Sequence, residues 1–251
     1  MVEKFEKLYK AQDIILNFIA NLEEKELYLT GGTALNRFYL DGRYSEDLDF
    51  FTLDKTETAV VSIAKITKNL IKNFKNITVD VDSKYFKRLY ADDGLKIDLV
   101  ADRVPQVFKP ILINGVYVDT MEEIFLNKLD ALYSRSAIRD VYDLFSIVNS
   151  KKIDIEKALV NFDVKSANEL NLVIEHVLNF DYEYFLKLYP KDAMSTIEMI
   201  SPDKFENFKN EYKNVFTSTF EPFLSKDNII FRNIFEKETI SKIKKSIDLQ
   251  A

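Results

Sequence analysis

Leu27 to Phe51, LYLTGGTALNRFYLDGRYSEDLDFF, decides how the rest of the chain is read. Leu27 and Leu29 open a strand that Gly31-Gly32 breaks. Thr33 is the expected N-cap of a helix carrying Ala34, Leu35, Phe38 and Tyr39. Ser45 then leads into Asp47-Leu48-Asp49-Phe50, where period-two alternation puts both carboxylates on one face of a second strand. Their Cα atoms are then about 6–7 Å apart, a separation that suits a hard cation such as Mg²⁺. Two adjacent glycines leave backbone N–H groups bare for an anion, and the following helix aims its positive end at the same place. A cation would bridge the carboxylates to phosphate oxygens. One strand–turn–helix–strand unit therefore brings a phosphate cradle and a metal seat together.

Bulk properties narrow the function classes. The 251 residues are 47% hydrophobic and 30% charged, as in an ordinary folded protein of one large or two small domains. There are only 5 glycines, so the adjacency of two of them is informative. The absence of Cys excludes disulfides, thiolate zinc sites and a thiol nucleophile. A single His, His176 within LNLVIEHVLNF, excludes a multi-His metal site and reads as a packed or surface residue, not a catalytic one. The net charge of −6 argues against a uniformly basic nucleic-acid surface. The charged, helical N-terminal stretch is unlike a signal peptide, and no window is apolar enough to span a membrane. The expected location is the cytoplasm.

Helices are expected over 3–22 and 55–74, and strands over 76–82, 85–90 and 95–101, with Asp92-Asp93-Gly94 as a hairpin turn. Asp98, inside the apolar strand LKIDLVA, shares a face with Lys96 and Val100 and needs a partner, water or a metal. ILINGVYVDT reads as a further hairpin. From Thr120 onward the pattern is helical: 120–135, with Thr120 and Glu123 as a capping box, then 138–148, 154–161, 166–179, 181–189, 203–218 and 228–247. A boundary near 118 is expected, giving a core of 1–118 and a helical domain of 119–251. The aromatics of 180–189 and 205–223 read as core, and Lys237, Lys242, Lys244 and Lys245 as a solvated helix face. Arg37 and Arg43 lie near the cradle in sequence, with one of the two expected at the surface.

The order of these features resembles the polymerase-β-like nucleotidyltransferase superfamily. Within it the chain is most similar to the AbiEii/AbiGii-type toxin nucleotidyltransferases. The resemblance is carried by GGTALNRFYLDGRYSEDLDFF, KIDLV (96–100), NKLDAL (127–132) and RDVYDL (139–144). The gap before Asp47 is slightly long, and Thr33 stands where Ser is commoner. The resemblance implies an α+β fold: a mixed nucleotidyltransferase sheet flanked by helices, then a mostly α-helical C-terminal domain. It also implies Mg²⁺ (or Mn²⁺) at Asp47, Asp49 and Asp98, with Asp98 helping to activate the attacking hydroxyl. Gly31, Gly32, Thr33 and Ser45 would hold the nucleotide, and Lys128 would clamp its phosphates. Asp140 and Asp143 match the later acidic motif, with Asp143 assigned to catalysis and Asp140 to nucleotide binding. The implied activity is transfer of a nucleoside monophosphate from an NTP to a hydroxyl, such as an RNA or tRNA 3′ end, by a toxin with an antitoxin partner. Transfer to a protein or small molecule, phosphorylation, and nucleotide-binding regulation without catalysis are the alternatives.

Overall fold

The computed structural model describes residues 2–23, 26–135 and 137–224. The helix expected over 228–247 and the four lysines on it lie outside these residues. The chain begins with helix α1 (Val2–Ala20), whose Phe5, Leu8, Ile15 and Ile19 are buried. Strand β1 (Leu27–Thr30) then turns at Gly31 into the short helix α2 (Gly31–Leu35), which runs on as a π-helical turn over Asn36–Leu40. Next come β2 (Asp47–Thr52), α3 (Thr58–Asn73), β3 (Thr78–Asp82), β4 (Phe86–Tyr90) and β5 (Lys96–Val100). Strands β6 (Ile111–Ile113) and β7 (Val116–Val118) form a hairpin. Its two loop residues, Asn114 and Gly115, both have positive φ, as an Asn-Gly hairpin turn demands.

The seven strands make one mixed sheet in the order β3-β4-β5-β2-β1-β7-β6. β2 sits in its middle, antiparallel to β1 and parallel to β5. Alternation sorts the central strands cleanly. Leu27, Leu29, Leu48, Phe50, Ile97 and Leu99 point into the apolar core. Their neighbours Tyr28, Thr30, Asp47, Asp49, Phe51, Lys96, Asp98 and Val100 point the other way, into a cleft.

The rest is helical among the described residues: α4 (Met121–Arg135), α5 (Ile138–Ser150), α6 (Ile155–Leu159), α7 (Phe162–Lys165), α8 (Leu170–Leu178), α9 (Tyr182–Leu188), α10 (Pro190–Glu198) and α11 (Pro202–Leu224). Phe208, Tyr212, Phe216 and Phe220 recur every four residues on α11 and are buried, so this aromatic run is core. The buried apolar cluster runs unbroken from Phe5 to Phe220 and crosses residue 118.

Three local expectations are corrected. Thr33 does not cap its helix, which begins at Gly31; it lies inside, fully buried, and donates to Ser45 Oγ at 2.9 Å and to the Asp47 carbonyl. Thr120 does accept from Glu123 N at 3.3 Å, but the Glu123 carboxylate turns elsewhere. It accepts from Val107 N and Phe108 N and pairs with Lys165, so no capping box forms. Helix α10 is an addition to the expected elements: it is a short segment of nine residues that opens at Pro190, directly after α9.

Candidate active site

The cleft encloses about 560 Å³, the scale of a small-ligand site. Its floor is the polar face of β1, β2 and β5, and α4 and α5 supply further lining. Register fixes which side chains are neighbours. Asp47 stands beside Lys96, and Asp49 lies between Thr30 of β1 and Asp98 of β5. Asp98 in turn faces Arg88 of β4. Asp47, Asp49 and Asp98 therefore occupy one face of the sheet, all lining the cleft with Gly31, Gly32 and Ser45.

The three carboxylates are not equivalent. Asp47 is paired with Lys96 at 2.6 Å. Asp98 accepts two hydrogen bonds from Arg88, each 2.8 Å long. Asp49 has neither hydrogen bond nor ion pair among the described residues. Burial and then the charges of Asp47 and Asp98 push its pKa up to about 6, against the weaker pull of Lys96 and Lys128.

Both glycines are required by close approach. Gly31 has φ +73°, and a Cβ there would lie 2.7 Å from the Asp49 Oδ2. A Cβ on Gly32 would lie 2.6 Å from Arg43 Nη2 and 2.9 Å from Ser45 Oγ. The turn is bare because charged side chains fold against it.

Behind the cleft runs a chain of alternating charges, buried from Arg43 to Asp140 and reaching the surface at Arg135. Arg43 grips Asp143 with two 2.8 Å hydrogen bonds. Lys128 Nζ sits between Asp143 at 2.6 Å and Asp140 at 2.8 Å. Arg135 closes the chain on Asp140 at 2.7 and 3.0 Å. Burial raises the pKa of each aspartate, but the neighbouring cations outweigh it and hold both below the ordinary carboxylate range. Asn36 ties this chain to the glycine turn, donating to Gly32 O at 2.9 Å and to Asp143 at 3.3 Å.

The structure thus redistributes the expected roles. Gly31, Gly32, Ser45, Asp47, Asp49, Asp98 and Lys128 line the cleft. Asp140, Asp143 and Thr33 do not; each is fully buried and saturated by its partners. The two aspartates position Arg43, Lys128 and Arg135, which do reach the cleft. Of the two early arginines, Arg43 is inside and Arg37 pairs with Asp13 on α1. Arg139 lines the cleft without an ion pair among the described residues. Arg88 and Arg135 escape the sequence reading, which places Lys96 on the face of Asp98 without a site role, although Arg135 lies two helical turns after Lys128 on α4.

The acidic residues of the cleft fit a divalent cation only in part. Asp47 and Asp49 fit: two carboxylates at i and i+2 share a face, and Asp49 is held in an electrostatically unfavourable state that a cation would relieve. Asp98 does not join them in this arrangement, because Arg88 takes both its oxygens. Among the described residues no three acidic or His side chains gather closely enough to hold a metal.

A mixed sheet bearing a D-x-D strand, a glycine turn and a third acidic strand, with a helical C-terminal half, defines a nucleotidyltransferase. The chain belongs to the AbiEii family, described as "Nucleotidyl transferase AbiEii toxin, Type IV TA system", which matches residues 14–226. Among solved structures it is similar to JHP933 from Helicobacter pylori, with TM-score 0.57 and 19% identity over 96% of this chain and 98% of that one. It is also similar to MenT4, a nucleotidyltransferase toxin from Mycobacterium tuberculosis, with TM-score 0.54 and 18% identity over 86% of this chain and 93% of that one. No curated protein matches. No described helix is long and apolar enough to cross a membrane.

Proposed function

We propose that this nucleotidyltransferase moves a nucleoside monophosphate from an NTP to the 3′ hydroxyl of an RNA, tRNA being the first candidate. The acceptor oxygen attacks the α-phosphorus, the bond to the β-phosphate oxygen breaks, and pyrophosphate leaves. The reading rests on one observation above all: register puts Asp47, Asp49 and Asp98 on one face of the sheet, beside a glycine turn, in a nucleotide-sized cleft.

Asp47 and Asp49 would hold Mg²⁺ or Mn²⁺, which when bound neutralises phosphate charge and polarises the phosphoryl oxygens. Arg43, Lys128 and Arg139 receive the triphosphate, and among the described residues Arg139 has no ion pair to give up before forming new hydrogen bonds. Asp98 accepts the proton of the attacking hydroxyl once Arg88 has released one of its oxygens. The family description supports a toxin with an antitoxin partner, and an NTP-consuming enzyme acting on tRNA would work in the cytoplasm, where both are found.

The test is transfer from α-³²P-labelled and γ-³²P-labelled NTPs to tRNA, protein and small hydroxyl acceptors. The proposal requires α-label on RNA and released pyrophosphate. Label from the γ-position, or α-label on a protein, sinks it.

A further inference from the structure

The cleft face carries a second row of side chains that the phosphate chemistry does not use. One strand step beyond the carboxylates, Tyr28, Phe51 and Val100 stand side by side on β1, β2 and β5. Tyr28 is the register partner of Phe51, and Val100 that of Phe51 on the other side. All three point into the cleft, where Val104 and Ile124 add to the apolar lining and Asn127 offers an amide. None of the three belongs to the continuous apolar core, which fills the opposite face of the same strands. The two rings are tilted by 53° with centroids 6.0 Å apart, so they do not stack on each other. Lys55 pins the Tyr28 ring in place, 3.2 Å from its hydroxyl and 5.0 Å from the ring centroid.

We infer that this row is a nucleobase seat, and that it takes the base of the acceptor's terminal nucleotide, stacked on Phe51. The inference rests on the reading of Asp98 as the residue facing the acceptor hydroxyl. Val100 follows Asp98 by two residues on one strand face, about 6.6 Å away. That matches the separation between a ribonucleotide's 3′ oxygen and its own base. The direction of the reaction supplies the second argument. Arg43 packs against Gly32, and Lys128 is tied to Arg43 through Asp143, so the phosphate-binding cations gather at the glycine end. In-line displacement brings the attacking oxygen from the side opposite the leaving pyrophosphate. With the carboxylate row between, that side is the aromatic row.

Stacking on one aromatic ring tolerates any base, so the seat selects a single-stranded end rather than a sequence. Asn127 lines the cleft and donates one amide hydrogen to Asp119 at 3.4 Å, so its carbonyl oxygen and second amide hydrogen are the groups to read the base edge.

The test uses a short single-stranded RNA ending in 3′ 2-aminopurine, whose fluorescence is quenched on stacking, titrated into the full chain without NTP. Wild type is expected to bind and quench, and Phe51→Ala to bind about 10-fold or more weakly, within the loss expected for one stacked base. Phe51→Tyr should restore both. A parallel titration with a non-hydrolysable NTP should show Phe51→Ala unchanged within about twofold. Equal oligonucleotide binding by wild type and Phe51→Ala overturns the inference. Loss of NTP affinity with oligonucleotide affinity intact also overturns it, by assigning the row to the donor's base. Because the titration reads no catalysis, a failure of the transfer assay and a failure of this inference remain distinct results.

Discussion

The Asp49 carboxylate closes over Gly31, with Oδ2 2.7 Å from the point where a Cβ would stand. The second metal-binding candidate and the glycine turn are therefore one packed unit, and neither can change without the other. Gly31 also has φ +73°, where a side chain costs about 1–2 kcal/mol. Gly31→Ala is expected to lower the melting temperature by several degrees and to abolish transfer, because relief of the clash pushes Asp49 aside. Thermal melts and the labelled-NTP assay read both effects; a variant of wild-type activity would separate the turn from the site.

Asp49→Asn should stabilise the fold while removing activity. The carboxyl pKa rises from 3.8 to about 6 on folding, so the folded state binds the proton more tightly than the unfolded one. That raised value leaves wild type unpenalised below about pH 4, with stability lost as pH climbs to about 6 and constant above. The difference in melting temperature between Asp49→Asn and wild type should follow the same course, absent at pH 4 and full at pH 7. A difference independent of pH would contradict the raised pKa that burial, and then the charges of Asp47 and Asp98, give this carboxyl.

Arg43 and Asp143 form a buried pair whose members are 100 residues apart. Arg43→Met leaves Asp143 charged, buried and short of a partner, a loss of about 3–5 kcal/mol. Asp143 is depressed on folding, so its contribution is present above about pH 4 and lost as pH falls further. Chemical denaturation at pH 7 should show Arg43→Met strongly destabilised, and the gap from wild type should narrow on acidification.

Arg139 has no ion pair to lose among the described residues. Arg139→Ala is therefore expected to leave the melting temperature nearly unchanged while raising KM for NTP by about 10-fold or more, the effect of one charged hydrogen bond. Unchanged KM would remove Arg139 from the phosphate site.

Arg88 holds both oxygens of Asp98. Arg88→Gln should free that carboxylate and tighten Mn²⁺ binding, read by electron paramagnetic resonance without any turnover. Weaker Mn²⁺ binding in this variant would mean that Arg88 supports the cation site instead of competing with it.

Much of this was legible along the chain. Alternation in DLDFF and KIDLV set the faces of Asp47, Asp49 and Asp98, since a period of two is a local property of the strand. The adjacent glycines marked the turn, and the motif order marked the nucleotidyltransferase fold. The sequence by itself determined which residues could serve the chemistry. Only the tertiary structure decided which of them touch the cleft. Asp140 and Asp143 look like site acids in RDVYDL, but burial without water obliges each to satisfy its charge on Arg43, Lys128 or Arg135. Arg88 and Lys96 became partners of Asp98 and Asp47 through strand register, and Arg43 met Asp143 through packing of distant segments. The Asp92-Asp93-Gly94 turn sets the Arg88–Asp98 register locally; the other two pairings depend on which distant backbones lie side by side, and no spacing along a single chain encodes that directly.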